Sequence, residues 1–568
     1  MHHEDPEAHE GRIFPQRRKG AKKNDFINPK IRPTLRTTML ENPRGSRKFS
    51  VGQRHSDSDI PRAKIAKLAK APPHPVLPWR PLREIFRFLV AALPRWDRRV
   101  LRGEIASILA FPAALWLNGC MVGPDYKRPS VEIPPQFRAA MTPDAVPSTA
   151  DLKWFEVFKD ERLQELIRVA LVQNYDLRDA IARVDQARAN LGITQADQYP
   201  NFGAGGGFTS IELSREGAFS IPNGNRRRDF GTIFLSLFTY EIDIWGRLRR
   251  ATESAQAQLL AADWNRKTVI TTLISDVATA YFNLLELDME LAIARNTLGT
   301  RQESLRLIRT QLQGGVGTLL DVRQGEQLVY GAAQSVPSSE QQIEQTENQI
   351  SLLLGKNPGP VTRGRSLTEQ QTPPEVPAGL PSALLERRPD IEAAEQILVA
   401  TNANIGVAKA AYFPQITLTG EYGYQSTALA NLFSGSRRIW SFIPQLTQPI
   451  YTAGRLTSQV ELAEAQQRSA LAQYERAIQA GFRDVSDALI QYQKVREVRA
   501  QRELLVTALQ DRKRLAYLRY RGGVDTMLNA LNSDQDLFVA ELSLAQARRD
   551  ELLSLVQVYK ALGGGWQE

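Results

Sequence analysis

The chain has 568 residues and a formal net charge of +10, from 72 Lys and Arg against 62 Asp and Glu. The surplus is local: residues 1–119 hold 24 Lys and Arg against 11 Asp and Glu, giving +13, and the remaining 48 against 51 give −3. The nearly neutral remainder lacks the basic footprint of a nucleic-acid binder, so no nucleic-acid partner is expected. His2, His3, His9, His55 and His74 all precede Cys120, the one cysteine. Ser-His, Cys-His and His-metal constellations are therefore missing from the later chain, and an enzyme is disfavoured.

In chain order, residues 1–99 form a basic, Pro-rich extension, with segments such as KIAKLAKAPPHPVLPWR and no sustained periodicity. Such composition reads as disorder, or as a mis-assigned start with translation beginning near Val100 or Leu101. Arg98, Arg99 and Arg102 then precede an apolar run, Ile105 to Leu117. That run is too short for a bilayer span, which needs about 20 residues. It suits the central region of a signal peptide spanning 100–119, cut after the small Gly119. The end, LWLNGC, resembles a bacterial lipobox, with Asn118 bulkier than usual there. Cys120 is then acylated, palmitate included, and becomes the new N-terminus. A buried structural cysteine is the bland alternative. After Cys120 no run reads as a transmembrane helix, so membrane insertion must come through lipid or β-strands.

The later chain is a duplication. NYDLRDAIARVDQARANLGITQADQYPNF (174–202) matches RPDIEAAEQILVATNANIGVAKAAYFPQI (388–416). Further on, Gly246-Arg247-Leu248 pairs with Gly454-Arg455-Leu456, Asp276 with Asp484, and Leu354-Gly355 with Leu562-Gly563. The repeats are assigned as 120–360 and 361–568. Each predicts a helix, two strands around a polar loop, a very long helix, a Gly-Gly turn and a returning helix.

In ITLTGEYGY, Ile416, Leu418, Tyr422 and Tyr424 alternate with polar residues, the period of a two-faced strand. Trp440, Phe442 and Leu446 share one parity in the next run. Gly203, Gly205, Gly206 and Gly207 miss the spacing of a nucleotide-binding loop, and read as small residues in a crowded strand. Val269, Leu273, Val277, Tyr281 and Leu284 recur at steps of three and four, and no proline interrupts 247–313. A helix over that stretch is about 100 Å long.

Membrane strands must close into a barrel, and eight leave an interior that side chains fill. One chain offers four strands, so several chains must share one barrel, and three give twelve strands and a lumen. This inventory resembles the TolC-like outer membrane factor family, in its NodT-type lipid-anchored branch. The carriers are CMVGPDYKRP, YEIDIWGRLRR, LLERRPDIEAAE and the paired GGV turns. The resemblance implies an α+β membrane protein: a homotrimeric twelve-stranded β-barrel in the outer membrane lipid, continued by a periplasmic α-helical barrel. It further implies the exit duct of a tripartite efflux pump, with a periplasmic membrane-fusion adaptor and an inner-membrane proton-driven transporter as partners, and no cofactor or metal. Other readings are the duct of a type I protein secretion system and, remotely, a lipid-anchored coiled-coil structural protein. Copper or silver export is disfavoured, because from Cys120 onward Met121, Met141, Met289 and Met527 are the only soft ligands besides that cysteine.

By the same resemblance the turns at Gly314, Gly315, Val316 and at Gly522, Gly523, Val524 form the periplasmic tips. Val316, Thr318, Leu320, Val524, Thr526 and Leu528 then make the adaptor-docking surface. Relatives often carry aspartate where this chain has Asn532, and some where it has Asn529. An amide ring lacks the charge of a carboxylate ring. Asp321 in the first tip, and Asp525 nearby, could supply that missing charge to the gate.

Overall fold

The computed structural model describes residues 121–138, 151–214, 216, 226–370 and 381–566. The chain divides into Met1–Trp96 and Asp97–Glu568, and every described residue belongs to the second unit. The basic extension, the signal peptide and Cys120 lie outside the described residues.

The first half runs α1 (Trp154–Val157), α2 (Glu161–Gln173), α3 (Tyr175–Ala196), β1 (Phe202–Glu212), β2 (Arg227–Glu241), α4 (Arg247–Gln313) and α5 (Leu319–Leu353). The second runs α6 (Pro381–Arg387), α7 (Pro389–Ala410), β3 (Gln415–Ser426), β4 (Arg438–Thr447), α8 (Arg455–Arg521) and α9 (Met527–Ala561). The duplication shows in the lengths: α3 and α7 have 22 residues each, α4 and α8 have 67, and α5 and α9 have 35. At 1.5 Å per residue α4 and α8 are each about 100 Å long.

Local chemistry sets the boundaries. Asp160 and Asn174 cap α2 and α3 through their side chains, and Pro389 opens α7. The strand-to-helix corner needs Gly246, whose φ is +78° and whose missing side chain leaves room for Met121. Pro337 falls inside α5, which continues through it.

The four strands form one antiparallel sheet in the order β1-β2-β3-β4. The register places Phe202 opposite Leu237, Ile233 opposite Tyr424, Leu235 opposite Tyr422, and Tyr422 opposite Trp440. Cross-strand partners share a face, so one side collects Phe202, Phe208, Ile233, Leu235, Tyr422, Trp440, Phe442 and Leu446, all exposed. The other side carries Thr232, Ser236, Thr417, Thr419, Glu421, Ser441 and Gln445. Gly203 and Gly205 sit beneath the rings of Phe238 and Phe234, as the crowded-strand reading expects, whereas Gly207 has open space where a side chain would stand. β1 pairs with β2 alone and β4 with β3 alone among the described residues, so both outer edges are open.

The main core lies far from the sheet. Leu163, Ile167, Ile274, Val277, Tyr281, Leu284, Ile350, Val485, Val556 and Tyr559 meet there without solvent exposure. One sequence expectation needs correcting. An 18-residue window of α4 does reach a mean hydropathy of 1.3, enough by composition to cross a bilayer, but 61% of it is buried in this bundle. Packing explains that apolarity. The segment 354–370 straps the outside of the core, where Arg363 holds Asp288 at 2.8 Å and also pairs with Glu347.

Equivalent positions of the two repeats do equivalent work. Asn174 Nδ2 donates to Leu353 O at 3.0 Å, and Arg388 Nη1 donates to Ala561 O at 3.2 Å. Each closes the C-terminal end of its returning helix, whose last carbonyls lack partners within the helix.

Candidate functional site

The two glycine turns lie side by side at one end of the helical bundle. Leu305, Ile308, Val322 and Val329 of the α4–α5 hairpin pack with Met527, Ala530 and Leu531 of α9. Tyr520 Oη donates to Gln311 Oε1 at 2.6 Å, closing the gap between α8 and α4. Gly314 and Gly522 cap the long helices, and Gly315 and Gly523 turn the chain with φ of +76° and +72°. The expected tip residues thus come together. Val316, Leu319, Leu320, Val524 and Leu528 are exposed there, an apolar surface uncovered by the other described residues.

The two turns differ in their polar chemistry. In the first, the Thr318 and Asp321 side chains cap each other's backbone N–H groups at 3.2 and 3.0 Å. Asp321 is thereby committed to starting α5. In the second, Thr526 makes no side-chain cap. Asp525 accepts from Asn529 Nδ2 at 2.6 Å, from Thr526 N at 2.8 Å and from Arg519 Nε at 3.1 Å. Those bonds, led by Asn529, hold the Asp525 carboxyl below its usual range. Its charge is matched by Arg519, and Asn529 is occupied. Asn532 alone of the four expected gate residues is exposed with a side chain free of such a local task.

A polar node that the sequence did not signal lies behind the tips. Arg301 is buried and donates to Asp534 Oδ2 at 2.7 Å, Leu328 O at 3.0 Å and Gln535 Oε1 at 3.0 Å. Lys513 approaches the other oxygen of Asp534 at 2.5 Å. One guanidinium therefore ties α4 to α5 and α9, while Lys513 brings in α8. On a helical wheel each residue reads as one more solvated charge, because Arg301 and its side-chain partners Asp534 and Gln535, 233 and 234 positions apart, leave no local pattern.

The motifs also acquire physical roles. In CMVGPDYKRP, Val122 N donates to Trp245 O at 3.1 Å, Asp125 pairs with the buried Arg250 at 2.6 Å, and Arg128 grips Glu395. Burial, with Glu395 beside it, pushes the Tyr126 hydroxyl well above its ordinary value, so it stays a donor to that carboxylate. In YEIDIWGRLRR, Glu241 pairs with Arg247 and Asp243 with Arg249. Trp245 stacks on Phe413 at 4.7 Å and donates to Pro414 O. These contacts fasten the segment after Cys120 to the corner where strands become helices.

Among the described residues no three His, Cys, Asp or Glu side chains group as a metal site. The geometry is that of a wall and its end, held together by polar staples.

Comparison with known proteins agrees with this geometry. The outer membrane efflux protein family model matches residues 166–356 and 380–564. The toluene efflux pump outer membrane protein TtgC of Pseudomonas putida is 37% identical over 461 residues, 80% of this chain and 94% of that protein. The cation efflux system protein CusC of Escherichia coli is 33% identical over 465 residues, 81% of this chain and 99% of that one. Among solved structures, the open state of the Neisseria gonorrhoeae MtrE outer membrane channel superposes with a TM-score of 0.72 at 32% identity, covering 79% of this chain and 99% of that one. The chain belongs to the outer membrane efflux protein family, the TolC-like outer membrane factors.

Proposed function

We propose that this protein is the outer membrane channel of a tripartite efflux pump, a passive exit duct for drugs or other small toxic compounds. The observation that carries the reading is the sheet. One face is apolar and exposed, both edges are unpaired among the described residues, and each half leads into a helix of about 100 Å. An open sheet edge is not tolerated in hydrocarbon. Three copies, joining β4 of one to β1 of the next, give a closed twelve-stranded barrel with the aromatic face toward lipid.

The glycine turns are then the periplasmic tips. Their exposed Val316, Leu320, Val524 and Leu528 receive a membrane-fusion adaptor, and an inner-membrane proton-driven transporter supplies the energy. Asn529 and Asn532, with Asp321 and Asp525, surround the gate. Residues 100–119 are a signal peptide, and Cys120 carries lipid. The position of Met121 supports this anchor, because it packs at Gly246, where the sheet meets the helices, within reach of a bilayer surface.

The relatives' names span toluene and cations, so they do not select a cargo. Among the described residues, Met121, Met289 and Met527 sit at the sheet corner, mid-helix and tip, and form no soft-metal relay. The test is light scattering of the purified protein in mild detergent, followed by planar-bilayer recording. A trimer that conducts is expected, and a monodisperse monomer refutes the architecture.

A further inference from the structure

The sheet face opposite the aromatic one is not uniformly polar. Phe234 pairs with Gly205 on one side and Gly423 on the other, so it stands on the same face as Ser236, two residues on. A side chain on Gly205 would meet the Phe234 ring at 2.9 Å. A side chain on Gly203, the partner of Ser236, would meet the Phe238 ring at 2.5 Å. The two glycines therefore leave room for two rings on a face that the duct reading gives to water, and Phe238 is exposed. Apolar side chains gathered on a wet surface point to something that binds there.

Beside the rings lies a carboxylate without a counter-charge. Glu421 stands between Ser236 of β2 and Ser441 of β4. Its diagonal neighbours on the same face are Phe234 on β2 and Ile439 and Ile443 on β4, at the usual spacing of about 7–8 Å. The Ser236 hydroxyl donates to Gly203 O at 3.3 Å, so its proton is engaged elsewhere. Among the described residues no ion pair reaches Glu421. On this face Arg228 is eight residues from Ser236, about 27 Å along β2. Arg247, at the corner below, is taken by Glu241. The surroundings of Glu421 are thus one negative charge in a frame of hydroxyls and apolar side chains.

We propose that this part of the sheet is a transit site for organic cations that carry an apolar body, the class of aromatic quaternary ammonium compounds. Glu421 receives the charged head, and Phe234 and Phe238 receive the body. The ring faces add their own attraction for a cation. A metal ion is served poorly, because hard divalent ions take six to eight oxygens and one carboxylate between two serines does not supply them. An anion is repelled by Glu421. Exposure keeps the binding weak, and a site in a conduit must release what it holds. The proposal names a cargo class for the duct and rests on that reading for placing this face inside the channel, where three copies repeat the site around the lumen.

The experiment is saturation-transfer NMR on the full-length protein in maltoside micelles, with empty micelles as the baseline. The probes are benzyltrimethylammonium and benzenesulfonate, a cation and an anion built on the same ring. Saturable transfer to the cation and none to the anion is expected. Glu421→Gln should weaken the cation's binding about fivefold, the upper range for one exposed charge pair. The double variant Phe234→Leu, Phe238→Leu keeps apolar bulk, removes the rings and should weaken it by a similar factor. Light scattering checks that both variants assemble as the wild type does. No saturable transfer in the wild type, equal transfer to both probes, or binding unchanged in either variant overturns the site. Bilayer conductance of the same preparation separates the two readings: conduction without saturable binding overturns the site alone, and binding without conduction overturns the duct.

Discussion

Removing Asp534 should cost more than removing any surface charge of the bundle. In Asp534→Ala the guanidinium of Arg301 keeps Leu328 O and Gln535 Oε1 but loses its counter-charge, while both side chains of the pair are only 2–3% exposed. Lys513, 26% exposed, loses the same partner and can turn to water. Breaking a buried pair by deleting one member costs about 3–5 kcal/mol, against about 0–1 kcal/mol for an exposed pair such as Arg306–Glu303. Arg301 lies 12 residues before the end of α4, about 18 Å from the turn, so the damage should be local to the tips. Hydrogen exchange should accelerate near residues 298–330 and 510–540 and stay unchanged in the strands. The double variant Arg301→Met, Asp534→Leu should recover much of the loss, because two apolar side chains replace the pair without a stranded charge. A loss below about 1 kcal/mol in Asp534→Ala, or a double variant as unstable as the sum of the singles, refutes the node as the bond between the two hairpins.

Other expectations are simpler to state. Cys120→Ala should abolish lipid labelling and cleavage after Gly119, while the barrel still inserts; labelling that persists rules out the anchor. Asn532→Asp should increase divalent block and cation selectivity in single-channel records, and no change means that Asn532 does not line the gate. For Glu286 on α4, paired with Arg549, burial and then Glu290 raise the folded value to about 8 from the ordinary 4.5, so the folded chain holds the proton more tightly. Its stabilisation is full below about pH 4.5 and lost as pH rises through about 8, and Glu286→Gln should flatten that fall in Tm.

Periodicity and punctuation made most of the fold legible before any coordinates. The helix expected over 247–313 is α4 residue for residue, because Gly246 and Gly314-Gly315 mark its two ends and no proline lies between. The strands were legible because one face must meet lipid and the other water, which leaves a period of two in Ile416, Leu418, Tyr422 and Tyr424. The site was only partly legible. Asp525 and Asp321 stood out by position, but their engagement with Arg519 and Thr318 is a matter of rotamer and distance. Arg301, Asp534, Glu286 and Arg549 carry no sequence signal at all. They lie on helices where charges are common, and only the packing of distant helices removes them from water.

The duplication explains why one short chain can build a tall, near-regular tube. Each repeat supplies two strands, one helix of 67 residues and one of 35, so a trimer presents six nearly equal units. Regularity holds where packing is generic, as in the matched closures by Asn174 and Arg388. It breaks at the turns, where the first uses a Thr318–Asp321 capping box and the second an Arg519–Asp525–Asn529 cluster. A helix start held by its own cap needs nothing from the neighbouring hairpin. One held by Arg519 depends on α8 and α9 keeping their spacing. In the proposed trimer the six tips are therefore of two alternating kinds, and only in the second do the polar contacts at the helix start reach a side chain of the preceding long helix.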